Sequence, residues 1–199
     1  MIFPLQACAK GCLNNSNMKI KDTNLEGVFI FELLTHTDNR GSFTETFREA
    51  VLQETLQQPI RFVQDNESVS KKGVIRGLHY QLPPMAQSKL VRVVQGKVWD
   101  VIVDLRKDSP TFGETFGMEL SAENKKQLFI PQGFAHGYIT LSDTATFVYK
   151  VDNYYSKAHE ASIAFNDPDL AIHWPLSPKE WILSPKDLEH AAFKEALYF

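Results

Sequence analysis

The sequence predicts an all-β fold, because many short strand patterns follow one another with few helical stretches between them. Strands do not alternate with helices as a parallel sheet would require, so we expect a sandwich, a barrel or a jelly roll. A content of 14 Phe and 6 Tyr also favours strands. No internal repeat, low-complexity tract or linker divides the 199 residues, which suit one compact domain.

The first half of the chain alternates apolar segments with turn signals. Residues 27–31 predict a strand that ends before the turn-forming residues 38–41. Apolar side chains between residues 47 and 57 recur at helical spacing and predict a short helix. Further strands are expected at 60–63 and 73–80.

The second half continues the same pattern. The long apolar run 89–105 divides at Gln95-Gly96, where we expect a hairpin turn. Residues 127–130 and 134–141 predict two strands broken by Pro-Gln-Gly, and residues 145–151 predict another.

The two ends of the chain read differently from the middle. Residues 1–18 are expected to be a flexible N-terminal extension, and residues 19–199 to be the single folded domain. Near the other end, Ser184, Pro185 and Asp187 match the cap, N1 and N3 positions of a helix start. They predict an amphipathic helical tail.

Composition excludes several function classes. A net charge of -3 argues against a general nucleic-acid binder. No apolar run approaches the ~20 residues that a membrane span needs. The only cysteines, Cys8 and Cys12, are too close together to staple a domain, and a reducing cytoplasm fits best.

Segment 74–81 places Arg76 and His79 inside an otherwise apolar strand. Buried charged groups need partners, since uncompensated burial costs several kcal/mol. Strict alternation would put the two side chains on opposite faces. Either Gly77 introduces an irregularity that brings both to one face, or only one of them faces the interior. The alternative without a function is an arginine at the rim and a satisfied core histidine.

Segment 130–137 has the Pro-x-Gly-x-x-His spacing, ending at His136, that is similar to the second motif of the cupin superfamily. Metal-binding cupins usually add an earlier His-x-His and a Glu. The corresponding stretch here is His79-Tyr80-Gln81, which leaves fewer than the three protein ligands that a catalytic metal generally needs. We therefore expect no metal and no other cofactor.

Segment 147–155 is rich in aromatic side chains. Period two places Phe147, Tyr149 and Val151 on one face of a strand. Core packing of a hydrogen-bonded tyrosine is one interpretation, and a functional phenol is the other.

Together these segments resemble the dTDP-4-dehydrorhamnose 3,5-epimerase family over residues 19–190, in order and without large gaps. The matching stretches are 38–45, 62–68, 76–81, 89–91, 104–113, 131–137, 166–168, 172–175 and 183–187. The resemblance implies a cupin-like double-stranded β-helix, or jelly roll, with a few short helices. It also implies an enzyme that inverts C3 and C5 of dTDP-4-dehydro-6-deoxy-D-glucose, in dTDP-rhamnose biosynthesis for lipopolysaccharide or another cell-surface polysaccharide.

The resemblance also assigns catalytic roles. His79 matches the base, since an imidazole is suited to proton abstraction next to a ketone near neutral pH. Asp187 matches the carboxylate partner of this histidine, although capping the predicted C-terminal helix is an equal alternative. Tyr149 matches the acid that returns a proton to the opposite face. Lys89 matches the cation beside the enolate oxygen, and a solvated lysine at a strand start is its alternative.

Further residues match substrate-binding positions in the family. Arginines suit the diphosphate because a planar guanidinium pairs with phosphate oxygens, and an aromatic ring can stack on the base. The matching residues are Arg40, Glu45, Gln64, Asn66, Arg76, His136, Tyr155, Glu160 and Lys186.

Three other functions compete with this interpretation. Relatives that invert only C3 of a related 4-keto sugar nucleotide share much of the pattern. A metal-dependent cupin would need ligands that the sequence lacks, and a non-catalytic sugar-nucleotide-binding jelly roll would not need base, acid and cation together. The expected partners are the dTDP-linked sugar and a second copy of the chain, paired through N-terminal strands. Neither nucleic acid nor a membrane is expected.

Overall fold

Antiparallel strands account for most of the regular structure in the computed structural model, which describes residues 14–15 and 18–199. Within these residues the strands are β1 Asn14–Asn15, β2 Met18–Asp22, β3 Phe29–Leu33, β4 Thr35–Asp38, β5 Gly41–Thr44, β6 Gln64–Lys71, β7 Ile75–Gln81, β8 Lys89–Gln95, β9 Lys97–Asp104, β10 Thr115–Ser121, β11 Lys126–Ile130, β12 Phe134–Thr140, β13 Thr144–Val151 and β14 Glu160–Ser162. The helix α1 covers Glu49–Leu56, and 3₁₀ turns cover Lys157–His159, Pro178–Glu180, Lys186–Leu188 and Phe193–Glu195. No described helix is long and apolar enough to cross a membrane.

The strands β6 to β13 pair in nested order, which defines the topology. β6 pairs with β13, β7 with β12, β8 with β11 and β9 with β10, all antiparallel. The seven-stranded sheet has the order β1-β2-β3-β11-β8-β13-β6, and the five-stranded sheet has the order β10-β9-β12-β7-β14. This nesting is a jelly roll, so the predicted fold class is confirmed.

Three apolar clusters hold the layers together. The first lies between the two sheets and includes Leu128 and Phe147 from one and Ile102 from the other. The second packs the C-terminal region, with Trp174, against the outer face of the five-stranded sheet. The third packs α1, through Leu52, against the seven-stranded sheet. The C-terminal region is therefore fixed beside β7, the strand that carries His79.

Most predicted elements are confirmed with shifted ends, including the strands at 27–31, 73–80, 127–130, 134–141 and 145–151. The helix predicted at 47–57 is α1, and the predicted turn at 38–41 joins β4 to β5. Residues 1–13 and 16–17 of the predicted N-terminal extension lie outside the described residues.

The strand predicted at 60–63 is wrong. Ile60 and Phe62 partly bury their side chains against the third cluster, which contains α1. Residues 60–63 add one backbone hydrogen bond to the sheet, from the Val63 N–H to the Val151 carbonyl, and β6 begins only at Gln64. The pattern misled because β6 is a polar sequence, Gln-Asp-Asn-Glu-Ser-Val-Ser-Lys, at the edge of its sheet. Apolar periodicity identifies the side chains that pack in a core. Here the packed side chains lie at 60–63, and the strand that pairs in the sheet is the next segment, 64–71.

The predicted hairpin at Gln95-Gly96 is also wrong, although the chain does turn there. β8 and β9 lie in different sheets, so the turn carries the chain across the sandwich. Gly96 has φ +71, and a Cβ there would approach the Thr144 carbonyl oxygen to 2.1 Å. The glycine marks a close backbone contact with the β12–β13 loop as well as a turn.

The predicted C-terminal helix is absent from the described residues. The tail forms two separate 3₁₀ turns, Lys186–Leu188 and Phe193–Glu195. Its aromatic side chains instead pack irregularly against the second cluster, with Phe193, Tyr198 and Phe199 among them. Tertiary packing on the sheet therefore overrides the local helix signal.

Candidate active site

A cavity of about 630 Å³ is lined by strands of both sheets and by the segment 182–187. It collects most of the predicted site residues, namely Asn66, Arg76, His79, Lys89, His136, Tyr149, Lys186 and Asp187. Because side chains from the two sheets meet there, a bound molecule would be contacted from two sides.

An irregularity at Gly77 brings Arg76 and His79 to this same cavity. On β12, His136 pairs with His79 and Tyr138 pairs with Arg76, so β7 uses one residue more than β12 between the pairs. Gly77 has φ +138, and a Cβ there would lie 2.5 Å from Gly137 Cα. The strand is therefore bulged, and only glycine fits the close approach.

His79 contacts a buried carboxylate. Its Nε2 lies 2.9 Å from Asp187 Oδ1, and the side chain of Asp187 is 7% exposed. Burial raises the pKa of the Asp187 carboxyl, but hydrogen bonds from His79 and Ser184 outweigh it and lower the pKa to about 2. The carboxylate is thus charged at neutral pH and orients the imidazole.

Asp187 does not cap a helix, the alternative that the sequence offered, because only the 3₁₀ turn Lys186–Leu188 forms among the described residues there and its side chain accepts no backbone N–H. Its Oδ2 accepts a hydrogen bond from Ser184 Oγ at 2.7 Å, and its backbone N–H donates to Ser184 Oγ at 3.2 Å. The two carboxylate oxygens therefore hold different partners, His79 and Ser184.

A second histidine–carboxylate pair lies on the neighbouring strands. His136 Nε2 is 2.9 Å from Asp100 Oδ2, and the side chains are 8% and 0% exposed. Burial lowers the pKa of the His136 imidazole, and the charge and hydrogen bond of Asp100 oppose this. The ring also stacks on Phe147 at 5.9 Å between centroids, so its plane is fixed.

Lys89 supplies a buried cation. Its Nζ donates to the backbone carbonyl of His79 at 3.3 Å. Burial lowers the pKa of the ammonium to about 8, although the charge of Asp100 acts in the other direction. A lysine held this way stays mostly charged at neutral pH and needs little reorganisation to face a developing anion.

Tyr149 reaches the cavity from β13, in the sheet opposite His79. Burial raises the pKa of its phenol above the ordinary 10.0, so the hydroxyl keeps its proton at neutral pH. Phe147 packs against the ring at 6.1 Å between centroids. No group among the described residues hydrogen-bonds this hydroxyl, which leaves it available to a ligand.

A connected set of polar side chains borders the cavity. Gln64 Nε2 donates to Asn66 Oδ1 at 2.8 Å, and Gln64 Oε1 accepts from the backbone N–H of Tyr155 at 3.1 Å. The Tyr155 hydroxyl donates to Glu160 at 3.0 Å, and Glu160 pairs with Lys186 at 2.6 Å. Tyr155 itself is 53% exposed.

Within the part of the chain that the structure describes, Arg76 is anchored by one nitrogen only. Its Nε donates to Ser70 Oγ at 3.0 Å, and Ser70 also contacts the hydroxyl of Tyr138. The outer nitrogens of the guanidinium therefore remain free to pair with an anion in the cavity.

Two predicted binding residues lie neither in the lining of the cavity nor in this polar border. Arg40 lies in the β4–β5 hairpin, pairs with Asp38 at 2.6 Å and has an 86% exposed side chain. Glu45 follows this hairpin and pairs with Arg48 at 2.6 Å.

Three site neighbours escaped the sequence analysis. Asp100 carried a usable signal, since a carboxylate inside the apolar strand β9 must have a buried partner. Ser184 was interpreted only as a cap. His190, whose ring meets His79 edge-on at 5.1 Å between centroids, gave no sequence signal.

Comparisons with known proteins identify the family of the chain. The sequence profile described as dTDP-4-dehydrorhamnose 3,5-epimerase matches residues 22–195. A dTDP-4-dehydrorhamnose 3,5-epimerase of Shigella flexneri is 52% identical over 182 residues, which cover 92% of this chain and 99% of the relative. A dTDP-4-dehydrorhamnose 3-epimerase of Streptomyces niveus is 36% identical over 179 residues, covering 90% and 86%.

A solved structure gives the same result. The crystal structure of dTDP-6-deoxy-D-glucose-3,5-epimerase from Legionella pneumophila, in complex with dTDP-4-keto-L-rhamnose, superimposes with a TM-score of 0.86 at 48% identity. The match covers 89% of this chain and 94% of that one. The matching sequence profile, these relatives and the shared jelly-roll fold show that the chain belongs to the dTDP-4-dehydrorhamnose 3,5-epimerase family.

Proposed function

We propose that the chain inverts C3 and C5 of dTDP-4-dehydro-6-deoxy-D-glucose to give dTDP-4-dehydro-L-rhamnose. The observation that carries this proposal is that His79 and Tyr149 line one cavity from opposite sheets, with the buried cation Lys89 in the same lining and its Nζ donating to the His79 carbonyl. Inversion beside a ketone requires a base, an acid on the other face and a cation for the enolate oxygen.

His79 is the proposed base. With Nε2 directed at Asp187, the other ring nitrogen, Nδ1, is left for the substrate. It removes the proton from the carbon next to the C4 ketone, and the charged Asp187 stabilises the imidazolium that forms. The imidazole then loses this proton to solvent, and the phenolate of the acid takes one from solvent, before the same pair acts at the second carbon.

Tyr149 is the proposed acid. A phenol with a raised pKa remains protonated and donates to the enolate face that His79 does not touch. Lys89 stabilises the negative charge that develops on the C4 oxygen, and His136, held by Asp100, contacts the substrate in the same cavity. Each of these groups is preorganised in the ligand-free cavity by contacts within the protein.

The nucleotide is proposed to lie along the polar border of the cavity. Arg76 and Lys186 supply positive charge for the diphosphate. Gln64, Asn66 and Glu160 offer hydrogen bonds, and the exposed ring of Tyr155 offers a stacking surface for the base.

We also propose a cytoplasmic homodimer that supplies a precursor of cell-surface polysaccharide. The β4–β5 hairpin forms a sheet of its own and exposes Phe43 to 71%, which a partner would cover. Arg40 and Glu45 are predicted to bind the substrate, but they do not line the cavity of their own chain. A dimer would account for this prediction, because both residues would then line the cavity of the partner. Light scattering on the purified protein tests this: a monomeric mass contradicts it.

The function is tested by incubation with dTDP-4-keto-6-deoxyglucose in deuterium oxide, with chelator present, while C3 and C5 are followed by NMR. Deuterium at both positions, with the L-lyxo product trapped by a reductase, supports the proposal. Exchange at C3 alone identifies a 3-epimerase, the activity named for the Streptomyces niveus relative. Binding of the sugar nucleotide without exchange at either carbon identifies a non-catalytic binding protein.

A further inference from the structure

His190 is a buried imidazole whose environment is incomplete. Its side chain is 3% exposed, and among the described residues neither Nδ1 nor Nε2 makes a hydrogen bond of good geometry. Burial lowers the pKa of the ring, although the Ile163 backbone lies close enough to oppose this. The proposed mechanism gives His190 no role, so a ligand for these nitrogens is the question that the structure raises.

The nearest polar atom is an oxygen that His79 already contacts. Asp187 Oδ1 lies 3.6 Å from His190 Nε2 and 2.9 Å from His79 Nε2. One ligand atom from each of the three side chains lies within 4.8 Å of the others. Zinc bonds of about 2.0–2.1 Å at tetrahedral angles place neighbouring ligand atoms about 3.3 Å apart, so the three groups need only small shifts.

The surroundings also suit a transition-metal ion. Two imidazoles and one carboxylate are a donor set that Zn²⁺ prefers over Mg²⁺. Ser184 Oγ holds the other oxygen of Asp187 at 2.7 Å, the kind of outer contact that orients a ligand. Because His79 lines the cavity, a water molecule could occupy the fourth position.

We propose that His79, Asp187 and His190 form an inhibitory site for Zn²⁺ or a similar divalent transition-metal ion. The ion takes the lone pair of His79 Nε2, and the ring proton then resides on Nδ1. His79 therefore presents an N–H, and no lone pair, to the substrate, and proton abstraction stops. The inhibition rests on the proposed function, whereas binding of the ion does not.

Binding is tested by titrating Zn²⁺ into chelator-treated protein in competition with a chromophoric chelator. Wild type should bind one equivalent, and His190→Asn should bind at least about 10-fold to 100-fold more weakly, the loss expected even for a supporting residue. His173→Asn, at an exposed histidine, is the matched control and should bind like wild type. Equal affinity in His190→Asn, or no binding to wild type, overturns the proposal.

Cobalt absorption of the wild type tests the same site if His190→Asn fails to fold. Tetrahedral Co²⁺ gives an intense visible band that octahedral aqueous Co²⁺ lacks, and we expect that band. A near-ultraviolet thiolate band would assign the ion to Cys8 and Cys12 and overturn the proposal.

Inhibition is measured as epimerase activity at increasing Zn²⁺, each variant relative to its own metal-free rate. Wild type should lose activity over the concentration range in which it binds the ion, and chelator should restore it. His190→Asn should need at least about 10-fold more Zn²⁺. Zinc binding without any loss of activity contradicts the inhibitory role. A wild type that binds zinc but lacks epimerase activity refutes the proposed function and leaves the metal site standing.

Discussion

His79 and Tyr149 face one cavity from opposite sheets of the jelly roll, His79 from β7 and Tyr149 from β13. The chain crosses repeatedly between the two sheets from β6 to β13, and the apolar cluster between the sheets fixes their separation. In the proposed mechanism, a planar enolate bound between these residues has one face towards the imidazole and the other towards the phenol. The arrangement of the two sheets therefore supports the proposed inversion.

The first prediction concerns the charge on Asp187. Asp187→Asn should lower kcat about 10²- to 10⁴-fold, because the imidazole loses the group that fixes its tautomer and stabilises its charged form. A coupled reductase assay measures kcat.

Ser184→Ala is the matched control, since it removes the other hydrogen-bond partner of Asp187. It should cost about 1 kcal/mol of unfolding free energy, as the loss of a cap does, with a much smaller effect on kcat. If both variants lower kcat equally, Asp187 acts only through the local turn.

The second prediction is an alkaline limb in the pH profile of kcat/KM, which reports groups of the free enzyme. The ammonium of Lys89 is charged only below its pKa, which burial holds at about 8 instead of 10.5. Activity should therefore fall as the pH rises through about 8. Tyr149 does not produce this limb, because burial raises its pKa above 10.0.

Lys89→Met should lower kcat about 10²- to 10³-fold, in the range of losing one preorganised donor, and should remove the alkaline limb. Lys150→Met is the control, because Lys150 pairs with Asp65 on the sheet and should keep the limb. A limb that persists unchanged in Lys89→Met belongs to another group.

The third prediction concerns the bulge that brings Arg76 and His79 together. Gly77→Ala combines φ +138 with a Cβ 2.5 Å from Gly137 Cα, whereas Gly41→Ala has φ +132 with no atom within 4 Å. Gly41→Ala should cost about 1–3 kcal/mol of backbone strain, and Gly77→Ala about 1–3 kcal/mol more from overpacking. Urea unfolding measures both, and equal losses would mean that the contact with Gly137 carries no energy.

The sequence predicted much of the fold because most strands combine apolar alternation with clear turn residues. The prediction failed where the segment that pairs in the sheet is polar. β6 is a polar edge strand, and its apolar neighbour at 60–63 is not a strand. It also could not reveal that β8 and β9 enter different sheets, since a tight turn at Gly96 serves a crossing as well as a hairpin. Local signals do not encode which sheet receives a strand.

The site was predicted mainly by family resemblance, and the structure adds the physical connections. His79 and Asp187 are 108 positions apart, and only packing of the C-terminal region on the five-stranded sheet brings them together. Asp100 could have been found as an acid in an apolar strand, but the sequence does not reveal that it pairs with His136. The contact of His190 with His79 depends on an irregular tail with no periodicity to read.

The central claim, that base and acid act from opposite faces, is tested most directly by Tyr149→Phe in deuterium oxide. We predict that this variant still exchanges the C3 proton for deuterium, because His79 can remove the proton, exchange it with solvent and return a deuteron on the same face. The amount of inverted product should fall by about 10²-fold or more. His79→Asn should lose the exchange itself. Inverted product at the wild-type rate from Tyr149→Phe would contradict the account, as would exchange that survives in His79→Asn and disappears in Tyr149→Phe.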